Sequence, residues 1–459
     1  MYQKIRGKIL LGLLFGLVVA LVLFPARIQQ GWQYLYQGGW QSQGRLGPLT
    51  AQERQWATIA WRYIENNTQP VTGLVNGSDN YPLTTVGQIG DSMMAVLAAK
   101  QLGLIDQAEY DRRITTLLAT LQALPLNEGI VNRHYRTTDA AMVDSMMKPA
   151  ATGWSAQDIG RLLVALRLVR NLSPDYAYYV DKTVVNWNFC PLFDSQGMLL
   201  SGTRENGKLS TQDDLRLGYS EYTALGFQLW GFSAANNFAL PYKKIQIYGI
   251  PLALDERDPR TTGVSNALTS TPYVLTGMEF QWQIPGDATQ SKALRRQAQN
   301  IFNVQQLRAE KEGILTARAD FSLSADPWTI TDTVFASGYP WNTLDAKGNF
   351  RPEYAQLSTK ALFGMWVLWD TPYTNQLMRL GQWHNDPQRG WFEGRSEQSG
   401  KLNKALTLST NALVLESLWY KSAYGVLARD NPAGTFERMQ QDVFNRPQTC
   451  LPFEPPGAK

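Results

Sequence analysis

Three acidic residues stand in segments where burial would penalise their charge. Asp91 lies in QIGDSMMAVLAAKQLGL (88–104), Asp158 in QDIGRLLVALRLV (157–169) and Glu221 in LGYSEYTALGFQLWGF (217–232), each near the head of a strongly apolar run. A buried, unpaired carboxylate costs several kcal/mol unless it is capped, paired or kept at a wet rim. Gathered at such a rim, two carboxyl groups suffice to cleave a glycosidic bond. One protonates the leaving oxygen, and the other activates water or attacks directly. Tyr219 and Tyr222 flank Glu221, and partial desolvation there would keep a proton on the carboxyl, so Glu221 is the expected general acid. Asp91 is the first choice for the base, with Asp158, Glu279 and Glu393 behind it.

Each acid also has a local explanation. Asp158 follows Ser155 by three residues in SAQD, where its carboxylate can satisfy the first amides of its own helix. The corresponding box ahead of Asp91 is already filled by Thr85 and Gln88 (TVGQ), so Asp91 needs a salt-bridge partner or a ligand. Acids facing each other across an open cleft favour catalysis. Acids capped, or paired with Arg161, Arg216 or Lys360, favour binding alone.

The elements that must position these groups follow from apolar periodicity, which predicts helices near 50–66, 84–103, 106–124, 155–171, 174–187, 215–232, 272–284, 287–307, 354–369, 372–383, 407–424 and 434–445. Tight turns join several adjacent pairs, as at GLID (103–106), NLSPD (171–175), IPGD (284–287) and DTP (370–372). Long polar or strand-like links occupy 67–83, 125–154, 188–214, 236–271, 308–353 and 384–406. Short turns make antiparallel hairpins, so the alternation stacks six hairpins with their long links on one side. The expected fold is therefore mainly α, an (α/α)6 toroid with long loops and small β-hairpins on one rim, where sites usually sit. At that rim Trp154, Tyr219, Glu279, Trp328, Trp341, Lys360, Trp391, Glu393 and Asn411 are the expected substrate-binding residues. Rings stack on the apolar faces of sugars, while acids, amides and cations meet the hydroxyls.

Composition restricts the alternatives. The 459 residues are 44 % apolar and 18 % charged with a formal charge of +4, and no Lys/Arg block is dense enough to track phosphates, so nucleic acid is not an expected partner. Two cysteines and two histidines in no ligand spacing give no expected metal site, and no phosphate-cradling Gly-rich loop or nucleophile elbow appears, so no cofactor is expected. Residues 1–8 form a basic flank (Lys4, Arg6, Lys8) expected in the cytoplasm. Residues 9–26, ILLGLLFGLVVALVLFPA, are long enough to cross a bilayer core of roughly 30 Å and lack a convincing cleavage site, which makes them a signal anchor. A linker at 27–49, the toroid at 50–445 and a tail at 446–459 complete the expected organisation, single-pass in a bacterial inner membrane with the toroid facing the periplasm or cell exterior. In that oxidising compartment Cys190 and Cys450 can form one disulfide.

The succession of LTTVGQIGDSMMAVLAAKQLGLI, WSAQDIGRLLVAL, GYSEYTALGFQLWGF, STPYVLTGMEF, GYPWNTLDAKGNF, LSTKALFGMW and GWFEGRSEQSGKLNKALTLSTNALVLESLWYK resembles an uncharacterised group of bacterial envelope proteins, a domain of unknown function related to six-hairpin, glucoamylase-like glycosidases. The resemblance covers about residues 50–430. It implies the toroid, and a role in extracellular polysaccharide metabolism beside a membrane glycosyltransferase or export machinery. Related barrels are mostly inverting, which would set the carboxyl groups roughly 6.5–9.5 Å apart. The expected function is a membrane-anchored glycoside hydrolase acting on a bacterial polysaccharide or glucan. The alternative is a non-catalytic protein that binds the polymer or assists its export, since a barrel can keep its cleft without activity.

Overall fold

Polar caps set the helix starts. Thr50 and Glu53 form a capping box ahead of α1 (Ala51–Asn67), and Thr85 and Gln88 form the expected one ahead of α2 (Val86–Gln101). The Asp158 amide donates to Ser155 Oγ at 3.2 Å at the start of the helix Ala156–Leu172. The computed structural model describes residues 44–262, 264–428 and 450–451, all within one unit, Gly44–Lys459. The expected anchor at 9–26 and the helix expected at 434–445 lie outside the described residues, and no described helix is long and apolar enough to cross a membrane.

The remaining described helices of more than about one turn are α3 (Gln107–Ala123), α4 (Ala156–Leu172), α5 (Ala177–Val185), α6 (Tyr219–Gln228), α7 (Thr271–Phe280), α8 (Ala288–Glu312), α9 (Thr359–Leu368), α10 (Pro372–Gly381) and α11 (Leu408–Ser422). Two kinds of helix alternate. In α3 the buried residues are Tyr110, Ile114, Leu117, Leu118 and Leu121, one stripe at helical spacing, which marks an outer helix. Every residue of α9 is buried, which marks an inner one. The inner helices α2, α4, α6, α7, α9 and α11 touch in that order, and α11 returns to α2, closing the ring. Glycines let them approach: a Cβ on Gly90 would meet Leu162 Cα at 3.0 Å, and one on Gly160 would meet Thr223 Cα at the same distance.

Outer helices α3, α5, α8 and α10 each follow the inner helix they back, while α1, from the start of the unit, backs α11. The third position departs from the expected pattern. Behind α6 the chain forms a 3-10 turn (Ala235–Phe238) and a β-hairpin (Tyr242–Ile247, Ile250–Asp255) in place of an outer helix. Gln297 of α8 bonds both the amide and the carbonyl of Ala253, and Asn300 donates to Pro251 O, so the hairpin is stitched to α8. A cavity of about 470 Å³ remains between the hairpin, α6, α7 and α8.

The long links carry short antiparallel strands that run straight into the inner helices. Leu83–Thr85 leads into α2, Gly153–Trp154 precedes α4, Gln356–Ser358 leads into α9 and Leu402–Leu406 precedes α11. Inner helices therefore begin at the strand-bearing rim.

Candidate active site

A solvent-open cavity of about 220 Å³ lies where the inner helices begin, and each of them lends it a side chain: Asp91 from α2, Asp158 from α4, Tyr219 from α6, Thr271 from α7, Lys360 from α9 and Ser409 from α11. A polar hollow on the axis of the ring is what six helix starts at one rim produce.

Its floor is built on Arg161. The guanidinium Nε donates to Asp91 Oδ1 at 2.7 Å, Nη1 donates to Tyr222 Oη at 2.9 Å and to Glu279 Oε1 at 2.5 Å, and Nη2 bonds Glu416. The Tyr222 hydroxyl in turn donates to Glu279 Oε2 at 3.0 Å. Five inner helices thus meet at one cation. Glu279 and Glu416 are fully buried, whereas Asp91 stays 13 % exposed and accepts a second bond from Ser409 Oγ at 2.6 Å. One guanidinium cannot neutralise three carboxylates in a buried site. Burial, then Glu279 and Asp91, push the Glu416 carboxyl well above the ordinary range against the pull of Arg161, and Glu416 Oε2 has no hydrogen-bond partner among the described residues. The network holds a proton there.

Asp158 is half-buried against the first turn of α2, one turn ahead of Asp91, where a Cβ on Gly87 would lie 2.9 Å from its Oδ1. Desolvation pushes its carboxyl up to about 6, opposed by the Gly87 backbone, Arg133 and the Thr85 side chain and assisted by the charge of Asp91. The carboxylate therefore faces a neighbouring helix instead of capping its own, as SAQD alone had allowed.

Glu221 is not in this hollow. Its Oε2 accepts the Gly218 amide at 2.5 Å and closes the first turn of α6, and its side chain lines the separate cavity behind that helix. Desolvation raises it to about 7, yet the geometry is that of a cap. The first turn of α6 thus sends Tyr219 and Tyr222 to the axial hollow and Glu221 to the opposite side, so the expected trio of acids divides between two cavities.

The other expected residues also divide. Tyr219 and Lys360 line the hollow, and the Tyr219 hydroxyl donates to Asp320 at 3.1 Å beneath the Arg216 guanidinium. Glu279 lies under the hollow, on Arg161. Trp154 is fully buried with Nε1 on Leu200 O, and Trp391 is fully buried with Nε1 on Trp56 O and its ring edge-on to Phe363, so both are packing residues. Glu393 is fully buried and accepts from the Thr407 and Thr410 hydroxyls, and Asn411 Oδ1 accepts the Trp391 amide at 2.7 Å, pinning the strand Gly390–Ser396 to α11. Trp341 stacks on Tyr248 under Arg308, while Trp328 is exposed on a rim hairpin. Cys190 and Cys450 are joined in a disulfide. Glu416 was missed, although an acid inside LVLESLWY carries the same signal as Glu279 in an equally apolar helix.

Solved structures share this architecture. A glucoamylase-like protein from Bacteroides caccae superposes with a TM-score of 0.59 at 12 % identity, covering 82 % of this chain and 95 % of that one. The endo-β-1,2-glucanase of Chitinophaga pinensis, solved with sophorotriose and glucose, gives 0.57 at 13 % identity over 83 % and 94 %. The endo-β-1,2-glucanase of Talaromyces funiculosus, solved with sophorose, gives 0.55 at 12 % over 82 % and 85 %. At such identities the likeness is one of fold: mainly helical with small antiparallel sheets, the six-hairpin glycosidase architecture. No curated protein matches the chain in sequence. A family model described as a protein of unknown function, DUF3131, matches residues 55–424, and the chain belongs to that family.

Proposed function

We propose that the chain is a glycoside hydrolase that cleaves a β-linked glucan outside the cytoplasm, held at the membrane by residues 9–26. One observation carries this reading: Asp91 and Asp158 line the same open hollow at the mouth of the inner ring. Their surroundings separate their roles. Asp158, raised to about 6, keeps a proton to give to the leaving oxygen, whereas Asp91, bonded to Arg161 and Ser409, is the group held in place to orient and deprotonate water. Lys360 and Tyr219 supply hydrogen bonds to sugar hydroxyls around them. An inverting outcome is the expected stereochemistry.

The test is release of reducing ends from linear β-1,2-glucan by the full chain in detergent, compared with Asp158→Asn and Asp91→Asn. Turnover should fall by at least about 100-fold in each, with glucan binding retained. A second reading has its own support: Asp91 and Glu279 are paired with Arg161 and Glu221 is a cap, the pattern of a barrel that binds a polysaccharide or assists its export without cutting it. Wild-type protein that binds glucan and releases no product would establish that reading. Membrane retention is tested separately by washing membranes in high salt, which should leave the protein bound.

A further inference from the structure

Trp328 is 61 % exposed at the closed end of the hairpin made by Asp320–Ser322 and Thr329–Asp332. Its φ is +64°, in the left-handed region that a bulky residue enters only when its surroundings hold it there. Two backbone bonds do so: the Trp328 amide donates to Ala325 O at 2.9 Å, and its carbonyl accepts from the Leu323 amide at 2.7 Å. Trp341, at φ +58°, is the instructive contrast. Its ring stacks on Tyr248 and lies 4.6 Å from the Arg308 guanidinium, so packing accounts for it. The indole of Trp328 makes no ring or cation contact with another described residue.

The hairpin that carries it is tied to the hollow on two sides. Asp320 accepts from the Tyr219 hydroxyl at 3.1 Å and from Arg216 at 2.8 Å, and Tyr219 is a wall of the hollow. Ser322 O accepts from Asn403 Nδ2 at 2.9 Å in the strand that leads to α11 and Ser409. Thr331 pairs with Asp320, and Trp328 immediately precedes that strand, in the turn that joins the two.

We propose that Trp328 is a stacking platform for a sugar that lies beyond the hollow, so that the substrate is the interior of a long polysaccharide chain instead of a short oligosaccharide. This rests on the glycan-cleaving reading above. A flat apolar sugar face is the ligand that buries an exposed indole while leaving hydroxyls in water. An exposed ring whose backbone is fixed in the left-handed region is how a rigid scaffold presents such a contact.

The experiment compares full-length wild type, Trp328→Gly and Trp328→Phe in affinity gels containing linear β-1,2-glucan, in sophorotriose titrations and in thermal melts. Glycine adopts φ +64° freely, so Trp328→Gly should melt at the wild-type temperature or above it. It should bind the polymer about 10-fold more weakly with sophorotriose affinity unchanged, and Trp328→Phe should be intermediate. Equal polymer affinity in wild type and Trp328→Gly, equal weakening toward polymer and trisaccharide, or a lowered melting temperature would each overturn the platform while leaving the hydrolase intact. If the wild type neither cleaves nor is retarded by the glucan, the platform and the hydrolase reading fall together.

Discussion

Arg161 Nε meets Asp91 Oδ1 at 2.7 Å, and the far side of the same guanidinium is bonded to Glu279 and Glu416 in the fully buried axis of the ring. The wet acid and the dry acids share one cation, so the dry ones must give up charge. Glu416→Gln mimics the protonated carboxyl and should change stability by less than about 1 kcal/mol at pH 6. Because the folded-state pKa of Glu416 is raised, its contribution is fully present below the unfolded value and is lost as pH rises through the folded one. Wild type should therefore weaken toward alkaline pH, and Glu416→Gln should weaken less. Urea melts at pH 6 and 8 measure both. Removing the cation is a different matter: Arg161→Met should cost on the order of 3–5 kcal/mol.

Asp158 gives a pH dependence of the opposite practical use. As a general acid it must be protonated, so turnover should decline as pH rises past about 6. Its raised pKa also means that the folded state loses stability between the unfolded value, near 4, and about 6. Asp158→Asn should abolish turnover and remove that loss, worth on the order of 1–2 kcal/mol after screening at a half-buried site. A pH-rate profile and paired melts at pH 4 and 8 would show either effect missing.

Glu221→Gln should leave turnover within about 3-fold of wild type, because a glutamine oxygen can still accept the Gly218 amide. The stability change should be below about 1 kcal/mol. Loss of activity in this variant, with an unchanged melting curve, would return Glu221 to the chemistry.

Gly226→Ala tests the ring itself. The new methyl would lie 3.0 Å from the Gly160 carbonyl carbon, where α6 crosses α4, and neither backbone can retreat without moving an inner helix. A loss of roughly 1–3 kcal/mol is expected, read as a lower denaturation midpoint.

Helix positions were legible because caps and apolar periodicity are local: TVGQ and SAQD mark starts that α2 and α4 follow to within two residues. The toroid was legible from link lengths. The link 236–271 was legible as polar or strand-like and holds a hairpin, but that the hairpin stands where an outer helix would be was not, because its docking on α8 is a tertiary contact. The site was half legible. Asp91 and Asp158 announced themselves as acids with unmet needs, but which side of α6 Glu221 would face depends on helix rotation, since about 3.6 residues per turn place Tyr219 and Tyr222 on one face and Glu221 on another. Trp154 and Trp391 look like sugar-stacking rings in sequence, and only the partners of their indole nitrogens reveal them as core.

The pairing of α1 with α11 has a consequence for synthesis. Lys421 Nζ bonds Glu53, and the Gly47 amide bonds Lys421 O, so the first described helix docks on the last described one. On the ribosome α1 emerges long before its late partners, since Trp56 packs on Phe363 and Trp366 of α9 and the helix docks on α11, a wait of roughly 20–70 s for the last of them at ordinary elongation rates. Until then the nascent chain is an open arc with a sticky edge, and premature termination before α11 would strand it in that form.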